Sequence, residues 1–331
     1  MAKKILLTGA GFSKAFNGYL CNELTAYFFN ALAADEEFRT DILSLKPFDG
    51  RNFEMLLSEL RGKYKRDSNK ILKIEGVLKG IFQKMCDGMF CKLLPKDSIA
   101  WFFYEFDYIF TTNQDAIQNQ NQVGNSWTKK FNIDPTKSGF GTNGGDGPFK
   151  APRAVISDVQ LGVERRPYFE LHGAYDWQEA FILGDGILLE DKKITSIRNN
   201  PILSSYFDSF KKSLCEAESS LVIVGYGFLD QHINEAIVAG INVKNGLKIF
   251  IWDPNAETYL KGFKKNIERA IVPMPENSLE SVGMDKSLLQ KSLRGYLPKG
   301  FNLEGDDKED VKKFLKASYN IPLHPRAGLG L

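Results

Sequence analysis

The chain has 331 residues, 43% hydrophobic and 25% charged, which excludes a disordered segment and leaves room for one large α/β domain or two medium ones. Lysine and arginine total 43 against 41 acidic side chains, and neither half carries a basic excess, so nothing in the composition calls for direct nucleic-acid binding. No stretch is apolar for long enough to span a membrane, and Cys21, Cys86, Cys91 and Cys215 are too scattered for a zinc ribbon. Reduced thiols in a cytoplasmic protein are the expectation, with no metal. The basic runs Lys63–Arg66 and Lys261–Lys265 read as solvated helix faces.

In chain order, Met1-Ala2-Lys3-Lys4 enters a strand directly, too abruptly for a signal peptide. The apolar run Ile5–Thr8 reads as a buried parallel strand. Gly9-Ala10-Gly11-Phe12-Ser13 then forms a tight turn into a helix, a device that presents backbone N–H groups to a phosphate. The turn lacks the third glycine of a dinucleotide fingerprint and the Lys-Ser/Thr of a P-loop, and an ordinary strand-to-helix turn reads the same way. A helix-rich stretch follows, with Leu24, Tyr27, Phe28 and Leu32, then Phe53, Leu56, Leu57 and Leu60, then Ile71, Ile74, Leu78 and Ile81 at helical spacing. It is too long for a simple crossover and predicts a helical insertion over about 14–100.

The sheet resumes at Phe106–Asn113. A loop-rich stretch covers about 114–166 and contains the glycine-rich run Gly139–Pro148, read as a surface loop or lid. Tyr168–Gly173 is a short strand ending in His172, and Phe181–Leu189 reads as a hairpin with Gly-Asp-Gly at its tip. Pro201–Ala217 is a predicted helix, Leu221–Gly225 a strand, Asp230–Val238 a helix and Lys248–Asp253 a strand, with Ile267–Val272 a candidate for the last one. Helical pieces are expected from Glu276 onward. The predicted organisation is one catalytic domain over 1–275 and a C-terminal helical extension and tail over 276–331.

Strands separated by helices predict a Rossmann-like, doubly wound, mainly parallel sheet. Ligands in such sheets bind at the carboxyl ends of the strands. Five polar or glycine clusters fall there: Gly9-Ala10-Gly11, Thr111-Thr112-Asn113-Gln114-Asp115, His172-Gly173, Gly225-Tyr226-Gly227 and Asp253-Pro254-Asn255. Asn113 has the amide to hold a ribose or a water, although Asn and Asp at such a place also cap helices. His172 has the chemistry of a base at neutral pH. Gly225 lets a flat base or a phosphate approach the backbone near Tyr226. Asp253 and Asn255 fit ribose hydroxyls and an Asx-Pro turn equally. Asp230 reads as a helix cap and His232 as structural, and His324, between prolines, carries no visible chemistry.

Taken together, these motifs resemble the sirtuin-like NAD-binding domains. Gly9-Ala10-Gly11-Phe12-Ser13 matches the family's GAG-x-S, Thr111–Asp115 its T-x-N-x-D, His172-Gly173 its HG, and Gly225–Asp230 the G-Y-S-F-x-D segment of the bacterial defence branch. The matches run in the family's order from about residue 5 to 255. The resemblance implies that Gly9, Ala10, Gly11 and Ser13 lie along a pyrophosphate, that Thr112, Asn113 and Asp115 serve the nicotinamide ribose and attacking water, that His172 is the base, and that Gly225 lies near the adenosine half. The four-cysteine module of protein-deacylating sirtuins cannot form here, which makes deacylation the poorer fit. The long helical stretch is instead similar to anti-phage effectors that hydrolyse NAD to nicotinamide and ADP-ribose, some of them acting with a HerA-class ATPase or an Argonaute-like partner. The resemblance thus implies an NAD hydrolase with NAD as substrate, gated by homo-oligomerisation or a partner. A module that senses NAD or ADP-ribose without cleaving it is the alternative.

Overall fold

The computed structural model describes residues 3–45, 52–91, 102–103, 105–115, 168–173, 190–243, 246–261, 292–301 and 305–319. Strand β1 (Lys4–Thr8) is followed by helices α1 (Ala10–Lys14), α2 (Cys21–Ala34), α3 (Glu36–Ser44), α4 (Phe53–Lys63) and α5 (Ser68–Cys91). Then come β2 (Tyr108–Thr111), β3 (Tyr168–Glu170), α6 (Glu190–Asn199), α7 (Pro201–Leu214), β4 (Ser220–Val224) and α8 (Gln231–Ile241). The order ends with β5 (Lys248–Trp252), α9 (Ala256–Lys261), β6 (Leu293–Leu297) and α10 (Gly305–Tyr319). The predicted glycine-rich loop 139–148, the hairpin 181–189, the strand 267–272 and His324 lie outside the described residues.

The six strands form one sheet in the order β3-β2-β1-β4-β5-β6, and every pairing is parallel. This is the strand order of a dinucleotide-binding Rossmann fold, with the direction of winding reversing between β1 and β4. The α/β, parallel-sheet expectation therefore holds.

Strands of this sheet read as unbroken apolar runs because successive side chains feed two different cores. From β1, Leu6 enters the cluster built by α1–α5 and α10, while Ile5 and Leu7 enter the one built by α6–α9. From β2, Ile109 goes to the first cluster and Tyr108 and Phe110 to the second. The same alternation sends Thr8 and Thr111, at the carboxyl ends of β1 and β2, toward the α1–α5 side, where the first candidate site forms.

The sequence reading differs from the structure after Glu276. Leu293–Leu297, expected as part of a helical tail, is an edge strand paired with β5. Its positions alternate between half-buried and exposed, and it carries Arg294 and Gly295, so it lacks the apolar run that marks the inner strands. The residues after it are knitted into the core. Phe301 packs on Phe12 and Trp252 at 4.7 and 4.6 Å between ring centroids, and the Trp252 indole donates to the Gly300 carbonyl at 3.3 Å. Aromatic pairs at this spacing contribute about 0.5–1.5 kcal/mol beyond their buried area. A segment near the C-terminus thus braces α1, the helix that opens on the glycine turn.

Candidate functional site

The glycines at the switch point serve backbone packing first. A Cβ on Gly9 would sit 2.6 Å from the Gly225 carbonyl oxygen, and one on Gly11 2.7 Å from Gly225 Cα. Gly225 itself has φ +62° and leaves 2.4 Å between a Cβ and Phe12 N. The turns after β1 and β4 therefore lie backbone to backbone. Their contact is hydrogen-bonded: Gly9 N–H donates to the Val224 carbonyl at 3.0 Å and Gly11 N–H to the Gly225 carbonyl at 2.9 Å. This corrects the reading of the turn as a row of open phosphate donors, because the N–H groups of Gly9 and Gly11 are already used. Ala10 begins α1 and is half-buried beside them.

The next residues form a hydrogen-bonded chain. Asn113 Nδ2 donates to the Gly9 carbonyl at 2.9 Å and to Ser13 Oγ at 2.6 Å, and Ser13 Oγ donates to Asp115 Oδ2 at 2.5 Å. Asn113 N–H is held by Thr111 Oγ1 at 3.0 Å. Thr112 closes on β1, its N–H donating to the Thr8 carbonyl at 3.0 Å. Ser13, Asn113 and Asp115 are all buried. Because the Gly9 carbonyl can only accept, the amide orientation is settled, and both donors of Asn113 are committed to protein. What remains for a ligand is the acceptor Oδ1. Phe12, Phe103 and Tyr168 line a narrow recess with Thr8, Thr111, Asn113 and Asp115.

A second polar centre lies at the same rim. His172, after β3, places Nε2 3.0 Å from Nε2 of His232 on α8. Asp230 Oδ1 is 3.9 Å from His172 Nε2 and 2.7 Å from Lys193 Nζ on α6. Lys193 also meets Glu54 of α4, at 3.4 Å, so one buried ammonium ties helices from both sides of the sheet. Two imidazole nitrogens this close share one proton, and both rings cannot be charged without separating.

In the sequence Asp230 reads as a helix cap, and no motif marks Lys193. Asp230 does occupy the N-cap position of α8, but its side chain makes no cap hydrogen bond and faces Lys193 instead. The spacing Asp230-x-His232 directly after the glycine loop was the available signal. The loop is held tightly: Phe228 is buried at φ 57°, and its carbonyl accepts from Asn234 Nδ2 at 2.9 Å. Tyr226 turns its hydroxyl back onto the same loop, accepting from Asp230 N–H at 3.3 Å and lying 3.2 Å from Asn234 Oδ1.

Burial pushes the His172 pKa well below the usual histidine value; Lys193 and His232 push it down further, and Asp230 and the Thr112 backbone oppose them. Burial would raise Asp230, but Lys193 with His172 and His232 holds it well below the carboxylate range. Burial, with Glu54 and Asp230 adding and Lys193 opposing, lifts the Cys21 thiol to about 12, so it is no nucleophile at neutral pH.

The His172 shift has a stability consequence. The unfolded chain takes up a proton at His172 near pH 6.5, while the folded chain refuses it until the pH is lower. Below that point the unfolded state binds more protons, so stability present above about pH 6.5 is lost on acidification, with a slope of at most about 1.4 kcal/mol per pH unit. Urea midpoints between about pH 7.5 and about pH 5.5 are expected to fall for the native chain and to flatten in His172→Gln. An unchanged slope in the variant would show that other groups carry it.

At the end of β5, Asp253 is buried and accepts from Asn255 N–H at 2.7 Å, and Ala256 N–H donates to the Asp253 carbonyl at 3.0 Å. Burial raises the Asp253 carboxyl, with bonds from Asn255 and Tyr259 opposing. These bonds form the Asx turn, and Asn255 is exposed beside it. The rim thus gathers Ser13, Thr111, Asn113 and Asp115 into one network and His172, His232, Asp230 and Lys193 into a second, with Thr112 bonded to Thr8 and, through its backbone, to His172.

No protein-family model matches the chain, and no curated protein does. Among the described residues no helix is long and apolar enough to cross a membrane.

Proposed function

We propose that the chain is an NAD hydrolase that releases nicotinamide and ADP-ribose, of the sirtuin-like defence type, gated by self-association or by a partner such as a HerA-class ATPase. The observation that carries this reading is the Asn113 amide, locked by Gly9 and Ser13 at the switch point of a β3-β2-β1-β4-β5-β6 sheet with only Oδ1 left to offer. In this reading the run of helices between β1 and β2 is the family's helical insertion. Ala10, Gly11 and Ser13 flank the pyrophosphate, Gly225 and Tyr226 the adenosine side, and Asp253 and Asn255 the far ribose.

The chemistry needs little beyond placement. Water oxygen bonds to the anomeric carbon of the nicotinamide ribose as the carbon–nitrogen bond breaks. The bonding pair returns to the pyridinium nitrogen, so nicotinamide leaves neutral and no general acid is required. Asn113 Oδ1 holds the water or a ribose hydroxyl in line. His172 takes the water's proton at Nε2, which requires its 3.0 Å contact with His232 to open, while the Thr112 backbone holds the ring. The second reading, a module that binds NAD or ADP-ribose without turnover, draws on one observation: His172 Nε2 already faces His232.

The deciding experiment incubates the protein with NAD, alone, self-associated, and with the ATPase partner, and separates the products by chromatography. Nicotinamide and ADP-ribose in equal amounts support hydrolysis. NAD binding by calorimetry with neither product under any of these conditions rejects it in favour of the sensor.

A further inference from the structure

His172, His232 and Asp230 place three ligand atoms within 4.8 Å of one another, two imidazole nitrogens and a carboxylate oxygen, all from buried or half-buried side chains. We propose that these three residues form a binding site for a divalent transition ion, zinc foremost, in which the ion replaces the proton shared by the two histidines.

The donor set is two neutral nitrogens and one carboxylate with a fourth position open to water, a combination that suits zinc. Zinc–nitrogen bonds of about 2.0–2.1 Å at a tetrahedral angle put two ligand nitrogens about 3.3 Å apart. The two Nε2 atoms are 3.0 Å apart, so the rings need to open by only a few tenths of an ångström. Asp230 Oδ1, 3.9 Å from His172 Nε2, needs to close by about half an ångström from the same geometry.

Lys193 is the competitor, at 2.7 Å from Asp230 Oδ1. It has a second carboxylate at hand, Glu54 at 3.4 Å, and can be retained there when Asp230 turns to an ion. The frame is stiff where it matters. His232 is two residues from Asp230 at the start of α8, and the Asp230 backbone is bonded to the Tyr226 hydroxyl. The absence of a cysteine motif, which led the sequence reading to expect no metal, says nothing about a set assembled from the end of β3 and the start of α8.

An ion here takes the His172 nitrogen, so it also stops any proton transfer through that ring. That consequence rests on the proposed role of His172 as base, whereas the binding does not.

The test uses the full chain stripped with a chelator and titrated with zinc by calorimetry, then with cobalt(II) by absorption. One equivalent is expected to bind, and the cobalt complex should show visible d–d bands without a thiolate charge-transfer band, which separates this site from the cysteines. His172→Ala and His232→Ala should each weaken zinc binding by at least ~10-fold, and His324→Ala should leave it unchanged. Lys193→Met, which frees Asp230 from its cation, should tighten binding, and this gives a reading of opposite sign if a histidine variant fails to fold. No saturable binding, a thiolate band, or affinity indifferent to both His172 and His232 overturns the site. Zinc bound as described with no loss of NAD turnover leaves the site standing and removes His172 from the reaction.

Discussion

On the proposed NAD hydrolysis, replacing Asn113 with alanine is expected to lower nicotinamide release by at least ~100-fold, about 2.7 kcal/mol of barrier, with NAD affinity changed far less. The amide gives its two N–H groups to the Gly9 carbonyl and Ser13 Oγ, and these fix where Oδ1 points. Alanine removes that acceptor and leaves two buried protein groups without their donor, which costs an estimated ~1–3 kcal/mol of stability. Melting curves must therefore accompany the assay. Asn113→Asp supplies the second measurement: it keeps an acceptor at Oδ1 but sets an acceptor against the Gly9 carbonyl and adds charge beside buried Asp115. Both variants folded and fully active would remove Asn113 from the mechanism.

Gly225→Ala is expected to cost about 3–5 kcal/mol of folding free energy, among the largest effects of a single added methyl group. Two causes act together. The residue sits at φ +62°, where a side chain is strained, and a Cβ would meet Phe12 N at 2.4 Å and Gly11 C at 2.5 Å, both backbone atoms that cannot rotate away. The turn after β1 must then move off β4, breaking the hydrogen bond from Gly11 N–H to the Gly225 carbonyl. Gly227→Ala is the matched control, since its nearest neighbours are the Leu229 side chain at 3.8 and 3.9 Å. Its urea midpoint should stay close to that of the native chain. Equal losses at both positions would mean that the close approach of the two turns is not what Gly225 provides.

Strands β1, β2, β4 and β5 were legible because each is a run of consecutive buried apolar residues, the mark of a strand covered on both faces. β6 was not, because an edge strand with alternating exposure and an internal glycine carries no such run. The residues of the Asn113 network were legible for a related reason: polar side chains directly after an apolar strand must sit at the sheet's carboxyl rim. The Lys193–Asp230–Glu54 bridge was hidden, since its members come from α6, the start of α8 and α4, and no local pattern reports which helix faces which. Gly9 and Gly11 show a subtler limit. Their sequence signals a tight turn correctly, but whether the turn's N–H groups meet a ligand or a neighbouring strand is decided by the register of β4, far along the chain.

That register also governs how the protein is made. β1 is the middle of the sheet, yet its partner in β4 begins at Ser220, paired with Lys4. A nascent chain therefore carries the apolar segment Ile5–Leu7 without one of its two neighbours until Val224 has left the ribosome. Loop closure over so long a separation is slow, and an unpaired inner strand is an aggregation hazard while it waits. Helices α2–α5, whose contacts are largely local, can assemble during that interval and cover the Leu6 face of β1, leaving Ile5 and Leu7 as the face that waits for α6–α9.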